Sequence, residues 1–291
     1  MNEGDKLSVP VASAPSRRVS QGPVMPIGGA EATEPGGEIL ERFVDLAGGK
    51  KARIAIIPTA SDDPQRSGEG YATLFRELGA KKADWLRVEQ RPEANSEEAL
   101  SLLREATGIY ITGGDQARLV ALLVGTLVME CIRMRNAEGV VVAGSSAGTS
   151  ILSTLMMAGG TGVGGNSNDS AARKGMVDIV AGFGLLQDII IDQHFSQRGR
   201  LGRLLSVFAG TPGLLGVGLD EDTAVLIDRE GTLEVLGSNM VTIVDGRNTI
   251  SDYFDRQDGE VLTITGSSLH VLAGGRFFDV DTREAIGMDT Q

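Results

Sequence analysis

The chain has 291 residues, 41% of them hydrophobic, a formal net charge of −12 and a single cysteine. That length suits one large α/β domain or two small ones, and the negative charge argues against nucleic acid as a partner. No apolar run approaches the roughly 20 residues of a membrane span, and the lone Cys131 makes no internal disulfide, so a reducing cytoplasm is the expected location.

Residues 1–22 are rich in Ser, Pro and Arg and lack the long apolar stretch of a signal peptide, so a disordered tail is expected there, with 23–291 as a single domain. From Val24 onward, apolar strand-like runs alternate with helical patterns. Val24 to Ile27 reads as a strand leading into Gly28-Gly29-Ala30-Glu31, and a helix follows over Glu38 to Leu46. Arg53 to Pro58, Trp85 to Val88 and Gly108 to Thr112 read as further strands, with helices near Tyr71 to Leu78 and Glu97 to Glu105 between them. Two helical segments, Asp115 to Leu123 and Leu127 to Asn136, precede the β-branched run Gly139 to Ala143. This alternation predicts a three-layer α/β sandwich with a mostly parallel central sheet.

The run ends in Gly144-Ser145-Ser146-Ala147-Gly148, and a helix is predicted from Thr149 to Met157. A serine between small residues at a strand-to-helix turn is the layout of a nucleophile elbow, with Ser146 as the nucleophile. Glycines give the turn backbone room, and the N–H groups beyond it favour a developing oxyanion. Here either Gln116 orients substrate, or the Gly114 N–H completes an oxyanion hole with that of Ala147. Beyond the elbow, Ala158 to Ser170 is Gly/Ser/Asn-rich and reads as an extended surface loop. Apolar runs at 182–186 and 189–191, a helix over Arg200 to Phe208 and a series of C-terminal strands complete the chain, with a hairpin at Asp228 to Gly231.

A serine nucleophile needs a base, and the chain has two histidines. His270 lies in a strand pattern and reads as structural, whereas His194 ends an apolar run among polar neighbours and is the expected general base. Asp192 and Asp169 both qualify as the acid that orients it. Arg198, Arg200 and Arg203 follow directly, and against so acidic a background they point to a site for substrate carboxylates. The acidic run Asp220 to Asp222 at another strand end suits either a turn or the binding of a basic group. Two distant histidines and one cysteine make no ordinary zinc site, and neither a metal nor another cofactor is expected.

Six segments in order, Gly28 to Glu31, Ile56 to Ser61, Thr112 to Gln116, Gly144 to Gly148, Asp192 to Phe195 and Gly218 to Thr223, resemble the cyanophycinases of the serine peptidase family that also contains dipeptidase E. The resemblance implies a dimeric serine exopeptidase that cuts the poly-aspartate backbone of cyanophycin and releases β-aspartyl-arginine dipeptides. It implies Ser146 as nucleophile, His194 as base, and Gln116, Asp192, Gln193, Arg198, Arg200 and Arg203 as pocket residues. It also implies an orienting glutamate in the loop after the elbow; that loop holds no glutamate, so Asp169 is expected to take the role. A peptidase for short α-aspartyl peptides and a silent binding homologue are the alternatives.

Overall fold

The computed structural model describes residues 22–34, 36–159 and 171–287. The first half builds a parallel core. Strand β1 (Val24–Ile27) and helix α1 (Glu38–Leu46) are followed by β2 (Arg53–Ile57), α2 (Pro64–Glu77) and β3 (Lys82–Trp85). Then come α3 (Glu97–Glu105), β4 (Gly108–Ile111), α4 (Gln116–Leu123), α5 (Leu127–Ala137) and β5 (Val141–Ser145). Strands β1, β5, β4, β2 and β3 lie side by side in that order, all parallel. Every residue of β1, β4 and β5 is buried, as a sheet covered on both faces requires.

Helices cover both faces. Phe43 of α1 and Phe75 of α2 pack with Tyr110 on one side. Leu103 of α3 and Ile132 of α5 pack against Ile109 and Ile111 on the other. Helix α2 begins at Pro64, well before the expected start near Tyr71. Asp63 caps it, accepting the Arg66 N–H at 3.0 Å, and proline suits the first helical position. The polar run that follows carries little apolar periodicity, which hid the first turns.

The second half adds a short helix α6 (Ala147–Ser150), a ribbon of β6 (Leu155–Gly159) and β7 (Asp178–Ala181), then β8 (Ile189–Gln193) and α7 (Leu201–Gly210). It continues through β9 (Leu215–Leu219), β10 (Thr223–Ile227), β11 (Thr232–Gly237) and β12 (Met240–Asp245). Strands β13 (Ile250–Ser251), β14 (Ile264–Thr265), β15 (Ser268–Ala273), β16 (Phe277–Asp279) and β17 (Glu284–Ile286) end the described chain. Strands β10, β11, β16 and β17 extend the first sheet by antiparallel pairing to nine strands. Strands β15, β12, β9 and β8 form a second sheet whose Val217, Leu219, Val241 and Ile243 join the core of the first. Leu204 and Phe208 of α7 cover the second sheet's other face with Ile190 and Val244. The extra C-terminal strands expected from the sequence are therefore divided between two sheets.

The helix expected from Thr149 to Met157 is corrected: it stops at Ser150. Ile151 and Leu152 turn fully into the core, and the Thr154 N–H bonds the Leu186 carbonyl, which sends the following residues into β6. Such a diversion depends on a partner distant in sequence, so local spacing points the wrong way. Asp169 and nearly all of the expected Gly-rich loop lie in 160–170, outside the described residues, as does the expected tail except Gly22. Gly22 itself donates its N–H to the Asn136 carbonyl at 2.8 Å.

Candidate active site

The carboxyl ends of β1, β4 and β5 meet at one edge of the first sheet, because Ile27 pairs with Ser145 and Ile111 with Gly144. Ser146 follows at φ 51°, ψ −112°, a conformation L-residues rarely occupy and one that functional sites store at a cost of about 1–3 kcal/mol. The flanking glycines are required by close backbone approach. A Cβ on Gly144 would lie 2.1 Å from the Gly148 carbonyl oxygen, and one on Gly148 would lie 2.3 Å from that of Ile111. The Ser146 N–H is anchored to the Ile27 carbonyl at 3.0 Å, so the hydroxyl projects beyond the sheet edge.

The second sheet supplies the partners. Strands β8 and β9 are parallel, with Gln193 opposite Leu219, so the residues just beyond the two strand ends come together. His194 leaves β8 with φ 49° and donates its N–H to the Gly28 carbonyl. Its Nε2 stands 2.8 Å from Ser146 Oγ, and its Nδ1 stands 2.7 Å from Glu221 Oε1. A carboxylate only accepts, so Nδ1 carries the proton and Nε2 is left with its lone pair toward the hydroxyl. Burial pushes the imidazole below its ordinary value; the Arg198 and Arg200 charges act in the same direction, and Glu221 opposes them. A base held neutral at pH 7 is what proton abstraction from a serine needs.

Glu221 is the site residue that sequence reasoning missed. The run Asp220 to Asp222 was open to a turn or a binding role, and the structure divides it. Asp220 Oδ1 accepts the Ser196 N–H at 2.9 Å, Asp222 Oδ1 accepts the Ala32 N–H at 3.0 Å, and Glu221 faces the imidazole. The available signal was an acidic run ending one apolar strand and a histidine ending another; only the parallel pairing of those strands joins them.

Asp192 is corrected as a candidate orienting acid. It is fully buried and accepts from Arg203 Nε and Nη2, both at 2.8 Å, and from Arg200 Nη1 at 3.1 Å. Arg203 grips it with a bidentate fork. Asp192 and Arg203, both expected in the substrate pocket, are buried and bonded to each other.

Arg200 is buried too. It donates to Asp192 and to both the carbonyl and side-chain oxygens of Gln193, while its Nε has no hydrogen-bond partner among the described residues. Burial pulls its guanidinium down to about 10 against the opposing charge of Asp192. Arg198 is exposed on the turn after His194, free of an ion pair among the described residues. Gln193 Nε2 donates to Gln116 Oε1 at 2.8 Å, and Gln116 Nε2 donates to the Met157 carbonyl, so the two amides tie the end of β8 to the start of α4 and to β6. Ala147 opens α6 directly after the serine. The Gly113–Gly114 turn crosses beside it, with a Cβ on Gly113 placed 3.1 Å from that of Ser146. His270, on β15 of the second sheet, packs its ring edge-on against Phe278 on β16 of the first, a structural contact.

Comparison with known proteins gives the chain's relatives. The model of peptidase family S51 matches residues 25–235. A cyanophycinase of Synechococcus elongatus is 40% identical over 266 residues, covering 91% of this chain and 81% of its own. That of Trichormus variabilis is 41% identical over 265 residues, covering 90% and 87%. That of Geminocystis herdmanii is 38% identical over 263 residues, covering 90% and 94%. Among solved structures, a peptidase from an acI-B1 Actinobacterium shares the fold, with a TM-score of 0.64 at 22% identity over 90% of this chain and 98% of that one.

Proposed function

Because the chain belongs to peptidase family S51, we propose that it is a serine exopeptidase that hydrolyses cyanophycin at backbone aspartyl bonds and releases β-aspartyl-arginine dipeptides. The observation that carries this reading is the line from Ser146 through His194 to Glu221, with contacts of 2.8 and 2.7 Å, in a chain about 40% identical to cyanophycinases.

Ser146 Oγ attacks the carbonyl carbon of the scissile bond while its proton passes to His194 Nε2. Glu221 keeps the Nδ1 proton in place and stabilises the imidazolium. The oxyanion is directed at the Ala147 and Gly114 N–H groups, the donors expected at such an elbow. Collapse breaks the C–N bond, and the leaving amine takes the proton from Nε2. Water then gives its proton to Nε2 and attacks the acyl ester; the C–Oγ bond breaks as the Nε2 proton returns to Oγ, restoring Ser146 and freeing the acid.

Arg198 is the group best exposed to receive a substrate carboxylate, and the Gln116–Gln193 pair offers amide groups beside the reacting carbon. Asp192 and Arg203 act from behind, holding Arg200 and Gln193 in place. Asp169 is no longer needed as the orienting acid, since Glu221 supports that role by contact. No helix of the described residues is long and apolar enough to cross a membrane, and a homodimer in the cytoplasm completes the proposal.

The test incubates the purified chain with insoluble cyanophycin and identifies the products by mass spectrometry. Release of β-aspartyl-arginine dipeptides that is abolished in Ser146→Ala is expected. Turnover of short α-aspartyl peptides without cyanophycin release would replace the substrate, and full activity of Ser146→Ala would overturn the mechanism. Light scattering checks the dimer, which requires twice the chain mass.

A further inference from the structure

Glu31 is a buried carboxylate that the mechanism above does not use. Only 6% of its surface is exposed, and it forms no ion pair among the described residues. Three hydroxyls converge on it: Ser145 Oγ donates to Oε2 at 2.7 Å, Tyr71 donates to Oε1 at 3.1 Å, and Tyr110 donates to Oε1 as well. Each hydroxyl has one proton to give and gives it to the carboxylate. Burial, reinforced by the Glu31 charge, raises both tyrosines far above their ordinary value, so they remain donors.

The turn that carries Glu31 touches both catalytic partners. Gly28 accepts the His194 N–H at 3.1 Å. Gly29, at φ 100°, passes so close that a Cβ there would lie 2.5 Å from His194 Cε1 and 3.2 Å from Ser146 Cβ. Asp222 fixes the turn from outside, donating its N–H to the Gly29 carbonyl at 2.9 Å and accepting that of Ala32. The turn then delivers Glu31 to Ser145, the residue directly before the strained nucleophile.

We propose that Glu31 is a positioning residue: held by Tyr71 and Tyr110, its carboxylate latches Ser145 and so keeps the strained Ser146 within hydrogen-bond reach of His194. A merely structural residue at this place would be better apolar, because an isolated buried carboxylate is costly to desolvate. The inference rests on Ser146 being the nucleophile, not on which peptide it attacks.

The experiment compares wild type, Ser145→Ala, Glu31→Gln and the double variant by two readouts. One is the rate at which a fluorophosphonate labels Ser146; the other is the split of kcat and KM on cyanophycin. Labelling and kcat are expected to fall about tenfold to a hundredfold, the range a small misplacement of a reacting group produces, with KM little changed. The double variant should be no worse than the more affected single variant, because both remove one bond. Ser145→Ala deletes only a hydroxyl, so it serves even where Glu31→Gln fails to fold. Wild-type labelling in folded Ser145→Ala overturns the latch, as does a loss confined to KM. A wild type that labels at Ser146 yet leaves cyanophycin intact overturns the substrate alone, whereas one that does not label overturns the nucleophile and the latch together.

Discussion

Among the buried carboxylates near the catalytic pair, two are satisfied in opposite ways. Asp192, at the end of the second sheet, is neutralised by two arginines that are themselves buried. Glu31, behind the end of the first sheet, is met by three hydroxyls. The Asp192 cluster is an electrostatic unit whose members depend on one another's charge. The Glu31 cluster is a set of directional bonds aimed at one backbone segment. The first fixes the arginine-rich floor of the site, and the second fixes where the nucleophile stands.

The comparison breaks most sharply at the residue that serves neither cluster. Glu221 contacts the imidazole directly, and its side chain is 38% exposed, so its loss should cost chemistry and little stability. Glu221→Gln is expected to lower kcat by about a thousandfold or more, as loss of an orienting carboxylate does in triad enzymes. Steady-state kinetics beside a melting curve checks this, and a near-wild-type kcat would remove Glu221 from the triad.

Next in size is the contrast between the clusters themselves. Asp192→Asn leaves two guanidinium groups buried without their anion, which should destabilise the fold by about 3–5 kcal/mol. Glu31→Gln leaves no cation behind among the described residues, and should cost about 1–2 kcal/mol, the scale of one altered hydrogen-bond set. Urea unfolding of both variants measures the difference. Equal losses would show that the two sites are held by the same kind of force.

The sequence carried the elbow and the histidine well, because both are local: a β-branched run, small residues at a turn, and a histidine ending another apolar run. The parallel half of the first sheet was legible for the same reason, except that β3 lies at Lys82–Trp85 and not over Trp85 to Val88 as expected, and so was the hairpin between β10 and β11. What escaped depended on distant pairing. Glu221 reaches His194 only because β8 and β9 are parallel neighbours in a second sheet, and β6 replaces helix only because the chain after Leu152 bonds to Leu186. The arginines were visible, but their division was not. Arg203 turns inward on Asp192 while Arg198 stays exposed, and nothing in their spacing distinguishes them.

The smallest expected effect lies in the pH profile, and its sign separates the two regions. His194 must be neutral to act as base, so kcat/KM should rise with pH to a plateau, with a midpoint below the ordinary histidine value of about 6.5. Burial sets that direction first, and the positive charges of Arg198 and Arg200 add to it. Removing Arg198 takes away a charge that disfavours the imidazolium, so Arg198→Ala should move the midpoint up. Glu221→Gln removes the group that favours the imidazolium, so its residual activity should show a midpoint moved down. Ser145→Ala changes the position of the hydroxyl and no charge near the ring, so its profile should keep the wild-type midpoint at a lower plateau. A shifted midpoint in Ser145→Ala would mean that the Glu31 cluster reaches His194 through its charge, and the distinction between a directional latch and an electrostatic floor would fail.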